Sequence, residues 1–168
     1  MKTIYRDTVR PEWVDYNGHL RDGFYMVIYS LAVDAFMDQI GLDDATRRAR
    51  HRSIFSLEAH VNFLREIKGG RPIRIDAAVM GSDAKRVHFY MEMFDGDKPE
   101  PSSASEQMLL HVDTKDGARS AAFDADVAAR IATLRSNTQA RYAGRVIALP
   151  STPRAAPSAA SGSAADPA

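Results

Sequence analysis

The chain has 168 residues, enough for one domain around one core, and its 45% hydrophobic and 26% charged content is that of a globular protein. Its 22 basic side chains balance 22 acidic ones, so no sustained field draws it to nucleic acid or to an anionic membrane. It contains no cysteine, which excludes disulfides, thiolate metal sites and a cysteine nucleophile, and makes the cytoplasm the expected location.

The N-terminal stretch MKTIYRDTVRPEW carries Lys2, Arg6, Asp7 and Arg10 and lacks the run of ~7–15 apolar residues that a signal peptide needs. Thr3 to Val9 alternates and is closed by Pro11, which reads as a first strand. Asn17-Gly18 marks a turn, because both residues tolerate a left-handed backbone, and Asp22 is placed to cap a following helix. In that helix Phe24, Val27, Ile28, Leu31, Ala35 and Phe36 share one face, while Met26, Tyr29, Val33, Met37 and Ile40 widen it almost all round. Asp34 and Asp38 interrupt it, and it falls short of the ~20 apolar residues of a membrane span, so it reads as a buried helix. Gly41 can end it in a left-handed cap. Asp43 to His51 is charged and reads as a short exposed helix or loop.

The remainder follows a period of two, the signature of strands. Phe55, Leu57, Ala59, Val61 and Phe63 are expected on one face, with Ser56, Glu58, His60 and Asn62 on the other. After a turn at Lys68 to Pro72 come Ile73, Ile75, Ala77 and Val79, then Val87, Phe89, Met91 and Met93, then Ser105 to Asp113. Asp124 can cap a last helix over Ala125 to Ser136 with Val127, Ile131 and Leu134 as its apolar stripe. From Ser151 the chain is rich in alanine, serine and proline, with little to bury, so residues 151–168 are expected to be a disordered tail on a domain of residues 1–150. One strand, one long apolar helix and at least four consecutive strands predict an α+β domain in which an antiparallel sheet wraps a central helix.

Chemistry concentrates in PEWVDYNGHLRDGFY, Pro11 to Tyr25. Asp15 at a strand end, a tight turn at Gly18 and the unpaired amides of a helix start together favour negative charge. A carbonyl oxygen held there would be polarised as in an oxyanion hole, and Asp15 could serve as nucleophile or as general base on a water. The same residues also suit plain turn and capping roles, and His19 could bond the backbone or orient a substrate. The other histidines, His51, His60, His88 and His111, show no metal-ligand spacing, so no metal is expected.

The run Asp15-Tyr16-Asn17-Gly18-His19, with Tyr25 in the helix and the strands after it, resembles the acyl-CoA thioesterases of the hotdog fold, in the 4-hydroxybenzoyl-CoA thioesterase-like branch, over about Thr3 to Phe123. The resemblance implies that Asp15, three residues before the turn glycine, is the catalytic carboxylate. Four runs, PEWVDYNGHLRD, SLEAHVNFLREIKGG, ASEQMLLHVD and YAGRVIALP, are more narrowly similar to the betainyl-CoA thioesterases of bacterial carnitine breakdown. Those enzymes release glycine betaine and CoA. Arg21 stands where many relatives carry asparagine and takes no catalytic role in this reading.

A betainyl group ends in a diffuse cation without hydrogen-bond donors, which aromatic faces recognise. Trp13, Tyr16, Phe24 and Tyr25, together with Asn17, are the candidate substrate-binding residues, Trp13 and Phe24 being equally at home in a core. Glu58 and His60 could complete a site across a subunit interface or form a solvated outer face. Lys85 and Arg86 could meet CoA phosphates. The expectation is therefore an acyl-CoA hydrolase without cofactor, metal or nucleic-acid partner, assembled as a homodimer or homotetramer. Asp15, Gly18 and His19 form its catalytic loop, and its rivals are a thioesterase for another short or aromatic acyl group and a non-catalytic acyl-CoA binding module.

Overall fold

In the computed structural model, residues 1–144 are described; the tail expected from Ser151 and most of the Tyr142 to Pro150 run lie outside the described residues. The chain forms β1 (Lys2–Thr8), a 3₁₀ turn (Pro11–Trp13), α1 (Asp22–Gln39), α2 (Asp44–Arg50), β2 (Arg52–Phe63), β3 (Pro72–Ser82), β4 (Arg86–Asp95), β5 (Ser103–Asp113), β6 (Arg119–Ser120) and α3 (Ala125–Thr133). The strands make one antiparallel sheet in the order β1-β3-β4-β5-β2, with the two-residue β6 beside the end of β5.

Alternation decides which face of the sheet meets α1. Ile73, Ile75 and Val79 of β3 and Val87, Phe89, Met91 and Met93 of β4 are buried as the period of two requires. Phe36 of α1 packs on Phe89 with ring centroids 4.4 Å apart. Burying side chains of this size contributes roughly 1.5–3 kcal/mol each. Gly41, at φ 83°, ends the helix in the left-handed conformation expected of it. At the other end Arg21 holds the cap position, and Asp22 acts from inside the first turn by accepting from the Gly23 amide at 2.8 Å.

Three expectations are corrected. Burial of α1 does not extend all round: Met26 and Val27 are 36% and 42% exposed, because the sheet of one chain covers only one side of the helix. The even alternation assigned to β2 is broken by a bulge at Leu57, where the register against β5 steps between Ser56 and Glu58. Phe55, opposite Leu110, therefore lies on the outer side, whereas Ala59, Val61 and Phe63 turn toward α1. α3 also stops at Thr133, and the following residues join the sheet: the Ser136 amide bonds to the Val79 carbonyl at 3.1 Å.

Strand order fixes the site. β2 ends at one edge of the sheet and β3 begins three strand positions away, so residues 64–71 must cross roughly 14 Å under the start of α1. That crossover is pinned to the loop before α1. The Leu20 amide bonds to Ile67 O at 2.7 Å, and the Gly69 amide to Gly18 O at 3.1 Å. Gly69 is needed for this approach, since a Cβ there would lie 2.9 Å from Val14 Cγ2. Among the described residues, no helix is long and apolar enough to cross a membrane.

Candidate active site

The loop from Asp15 to Leu20 closes on itself before it meets the crossover. Gly18 adopts φ 82°, the conformation its turn demands. The Asp15 amide bonds to His19 O at 2.8 Å and the Gly18 amide to Asp15 O at 3.1 Å. Asp15 Oδ1 accepts from the amides of Asn17, at 2.8 Å, and His19, at 3.1 Å. Among the described residues none donates a hydrogen bond to Oδ2, so one oxygen of the carboxylate orients the group and the other remains for chemistry. Backbone hydrogen bonding, from His19 first and then Asn17, holds the Asp15 carboxyl below its ordinary range, and the nearby Arg21 charge adds to this.

Beside this loop lies an open recess of about 310 Å³ lined by Asp15, Asn17, His19, Leu20, Asp22, Tyr25 and residues Phe63 to Glu66 of the strand end and crossover. Tyr25 lies on its α1 side, 4% exposed, with the Phe63 ring edge-on at 5.1 Å and 84°. Burial, reinforced by the negative charge of Glu66, pushes the Tyr25 phenol up to about 12, so it stays neutral throughout the working range. His19 Nε2 lies 3.3 Å from Glu66 Oε2. Arg65 turns its guanidinium away to Pro101 O at 2.8 Å and toward Glu100 at 3.7 Å.

The structure thus brings Asp15, Asn17, His19 and Tyr25 together and holds Gly18 in their loop. Other expected contributors lie elsewhere. Trp13 is buried, stacks on Phe24 at 6.1 Å and carries the Arg10 guanidinium 4.5 Å from its ring centroid, so its π surface already serves an internal cation. Tyr16 is 94% exposed and does not line the recess. Glu58 and His60 face outward opposite Met108 and Glu106, on the side of the sheet away from Phe63. Lys85 and Arg86 lie at the sheet end where β2 starts, Arg86 opposite Leu110 and Leu110 opposite Phe55. Eight residues of strand, roughly 26 Å, separate Phe55 from Phe63. Arg86 is also committed to Asp83 Oδ2 at 2.8 and 2.6 Å. The amides of Gly18 and His19, expected to polarise a carbonyl, are both taken up by Asp15 itself.

Phe63 and Glu66 were missed as site residues. Both lie in the run SLEAHVNFLREIKGG that carries the resemblance, but what brings them to the recess is topological: a crossover long enough to pass beneath the helix start. Among the described residues, no group of three or more histidine, aspartate or glutamate side chains is gathered to hold a metal ion.

An oriented carboxylate facing an open recess at a helix N-terminus can attack a carbonyl carbon or activate a water for that attack. Known proteins that resemble the chain include thioesterases. The chain is 45% identical over 152 residues to the betainyl-CoA thioesterase of Pseudomonas aeruginosa, covering 88% of this chain and 95% of that protein. It is 36% identical over 123 residues to an L-carnitine dehydrogenase/betainyl-CoA thioesterase of Rhizobium meliloti, covering 73% of this chain and 24% of that longer protein. Among solved structures, a Staphylococcus aureus protein in complex with CoA superposes with a TM-score of 0.81 at 27% identity, covering 89% of this chain and 96% of that one. The sheet wrapped on α1 is the hotdog fold that the sequence resemblance implied. Residues 9–131 match the model of the thioesterase-like superfamily, and the chain belongs to that superfamily.

Proposed function

We propose that the protein hydrolyses betainyl-CoA to glycine betaine and CoA. The observation that carries this reading is the 45% identity to a betainyl-CoA thioesterase along nearly the full length of both chains. The site supports it with an acid of fixed orientation and an open recess suited to a small acyl group. The thioester carbonyl carbon is placed against Asp15 Oδ2, which attacks it directly or through a water. Because Asp15 occupies the loop amides and Asp22 the Gly23 amide, stabilisation of the developing oxyanion is left to the dipole of α1 as a whole. A carboxyl held below its ordinary range is fully ionised at neutral pH, as either route requires.

The active form in this reading is a homodimer. β2 is a twelve-residue edge strand with Phe55 and Leu57 45% and 57% exposed, a long apolar edge of the kind that pairs with another strand. Antiparallel pairing of two such edges would lay the start of one copy's β2 beside the end of the other's. It would also bring the Lys85 and Arg86 loop toward the neighbouring recess, where CoA phosphates could meet it. A soluble protein in the cytoplasm fits this assignment. Thiol release from a panel of betainyl-, acetyl- and benzoyl-CoA tests the reading: betainyl-CoA is expected to give the highest kcat/KM, and a preference for either neutral compound would replace the substrate while keeping the hydrolase.

A further inference from the structure

Resting on the betainyl-CoA reading, we propose that Glu66 and Phe63, with Tyr25, are the specificity-determining residues that seat the quaternary ammonium of the acyl group. Of the four aromatics expected for that task only Tyr25 lines the recess, Trp13 and Phe24 being stacked on each other with Arg10 over the indole, and Tyr16 projecting into solvent. The recess supplies others. Phe63 is 59% exposed at the end of β2, an uncommon position for so large an apolar ring unless something packs on it. Tyr25, nearly buried, backs it at right angles in the recess wall, so Phe63 carries the exposed ring surface beside the acid.

A quaternary ammonium has no hydrogen to donate, so only ring faces and a negative charge at van der Waals distance can select it. Glu66 provides that charge. It lines the same recess, and its field is felt at Tyr25. Arg65 also lines the recess, but its guanidinium is bonded to Pro101 O and faces Glu100, so His19, 3.3 Å away, is the partner that Glu66 has in the recess. The arrangement favours a cationic acyl group over a neutral one of the same shape, and disfavours an anionic one through Glu66, Asp22 and Asp15 alike.

A purely structural role is the alternative, in which Glu66 only steadies His19 across 3.3 Å. Glu66→Gln separates the two, since the amide keeps a hydrogen-bond partner for His19 and removes the charge. The test measures kcat/KM for betainyl-CoA and for its neutral isostere tert-butylacetyl-CoA, in wild type, Glu66→Gln and Phe63→Leu. Glu66→Gln is expected to lower the betainyl value about five- to tenfold, chiefly through KM, and to leave the isostere unchanged. The difference should shrink as salt is raised. Phe63→Leu is expected to cost the betainyl compound about three- to tenfold more than the isostere.

An equal loss on both compounds would make Glu66 a positioning residue for His19 and overturn the proposal. Wild-type enzyme that handles both compounds equally would overturn it as well, while leaving the thioesterase standing. Calorimetry with non-hydrolysable thioether analogues of the two compounds reads the same selectivity without turnover. An inactive preparation, which would sink the betainyl-CoA hydrolase reading, thus still decides this one.

Discussion

The main-chain amide of His19 donates to Oδ1 of Asp15 at 3.1 Å, so the residue that closes the turn also aims the acid that opens it. With the Asn17 amide on the same oxygen at 2.8 Å, orientation of the carboxylate depends on backbone geometry and not on a neighbouring side chain. The consequences differ for substitutions that remove the charge, the turn or the field.

Activity should persist into acid. The two amides hold the Asp15 carboxyl below 3.8, its ordinary value, so protonation removes the active carboxylate only below that pH. A profile of kcat/KM against pH is expected to carry no acid limb from Asp15 between neutrality and about pH 4. A limb near pH 6 that vanished in Asp15→Asn would show that the amides do not govern this group.

Gly18 and Gly23 should respond oppositely to alanine. A Cβ meets nothing within 4 Å at either, so sterics do not separate them. Backbone conformation does: Gly18 sits at φ 82°, where an L side chain costs about 1–2 kcal/mol. Gly23 is inside α1, where alanine gains roughly 0.5–1 kcal/mol over glycine. Denaturant titration should show Gly18→Ala less stable and Gly23→Ala more stable than wild type, with activity reduced in the first because Asp15 is re-aimed.

Acid stability carries a contribution from Asp83, whose carboxyl Arg86 and the amides of Lys85 and Arg86 pull down to about 2. A lowered folded-state value means stabilisation that is full above 3.8 and is lost as pH falls toward about 2. The group is exposed, so the effect is small. Asp83→Asn is expected to reduce stability at pH 5 and to show most of that deficit gone by pH 2, and an equal deficit at both would assign the loss to packing.

The edge of β2 gives the assembly test. Replacing Leu57 by lysine puts a charge at the centre of the exposed edge without touching the recess. Sedimentation is expected to show a dimeric wild type and a monomeric variant, and a monomeric wild type would remove the dimer from the account.

Much of the fold was legible because periodicity is local. The inner faces of β3 and β4, the start of α1 at Asp22 and its stop at Gly41 all follow from residues adjacent in sequence. The bulge at Leu57 was not, since FSLEAHVNF alternates without a break and only pairing with β5 shows where the register slips. At the site, Asp15 and the Gly18 turn were visible as a short motif, whereas Phe63 and Glu66 join them only through the crossover that the strand order imposes. Trp13 shows the converse: its type suggested a ligand, and its partner turned out to be Arg10, three residues earlier.

The most direct test of the account is thiol release from betainyl-CoA by wild type and by Asp15→Asn, a variant that keeps an acceptor for the amides of Asn17 and His19. Turnover is expected from the wild type, with a loss of about 10²–10⁴-fold in kcat for the variant and unchanged circular dichroism. Equal turnover by both proteins would contradict it, because the carboxylate would then have no part in breaking the thioester.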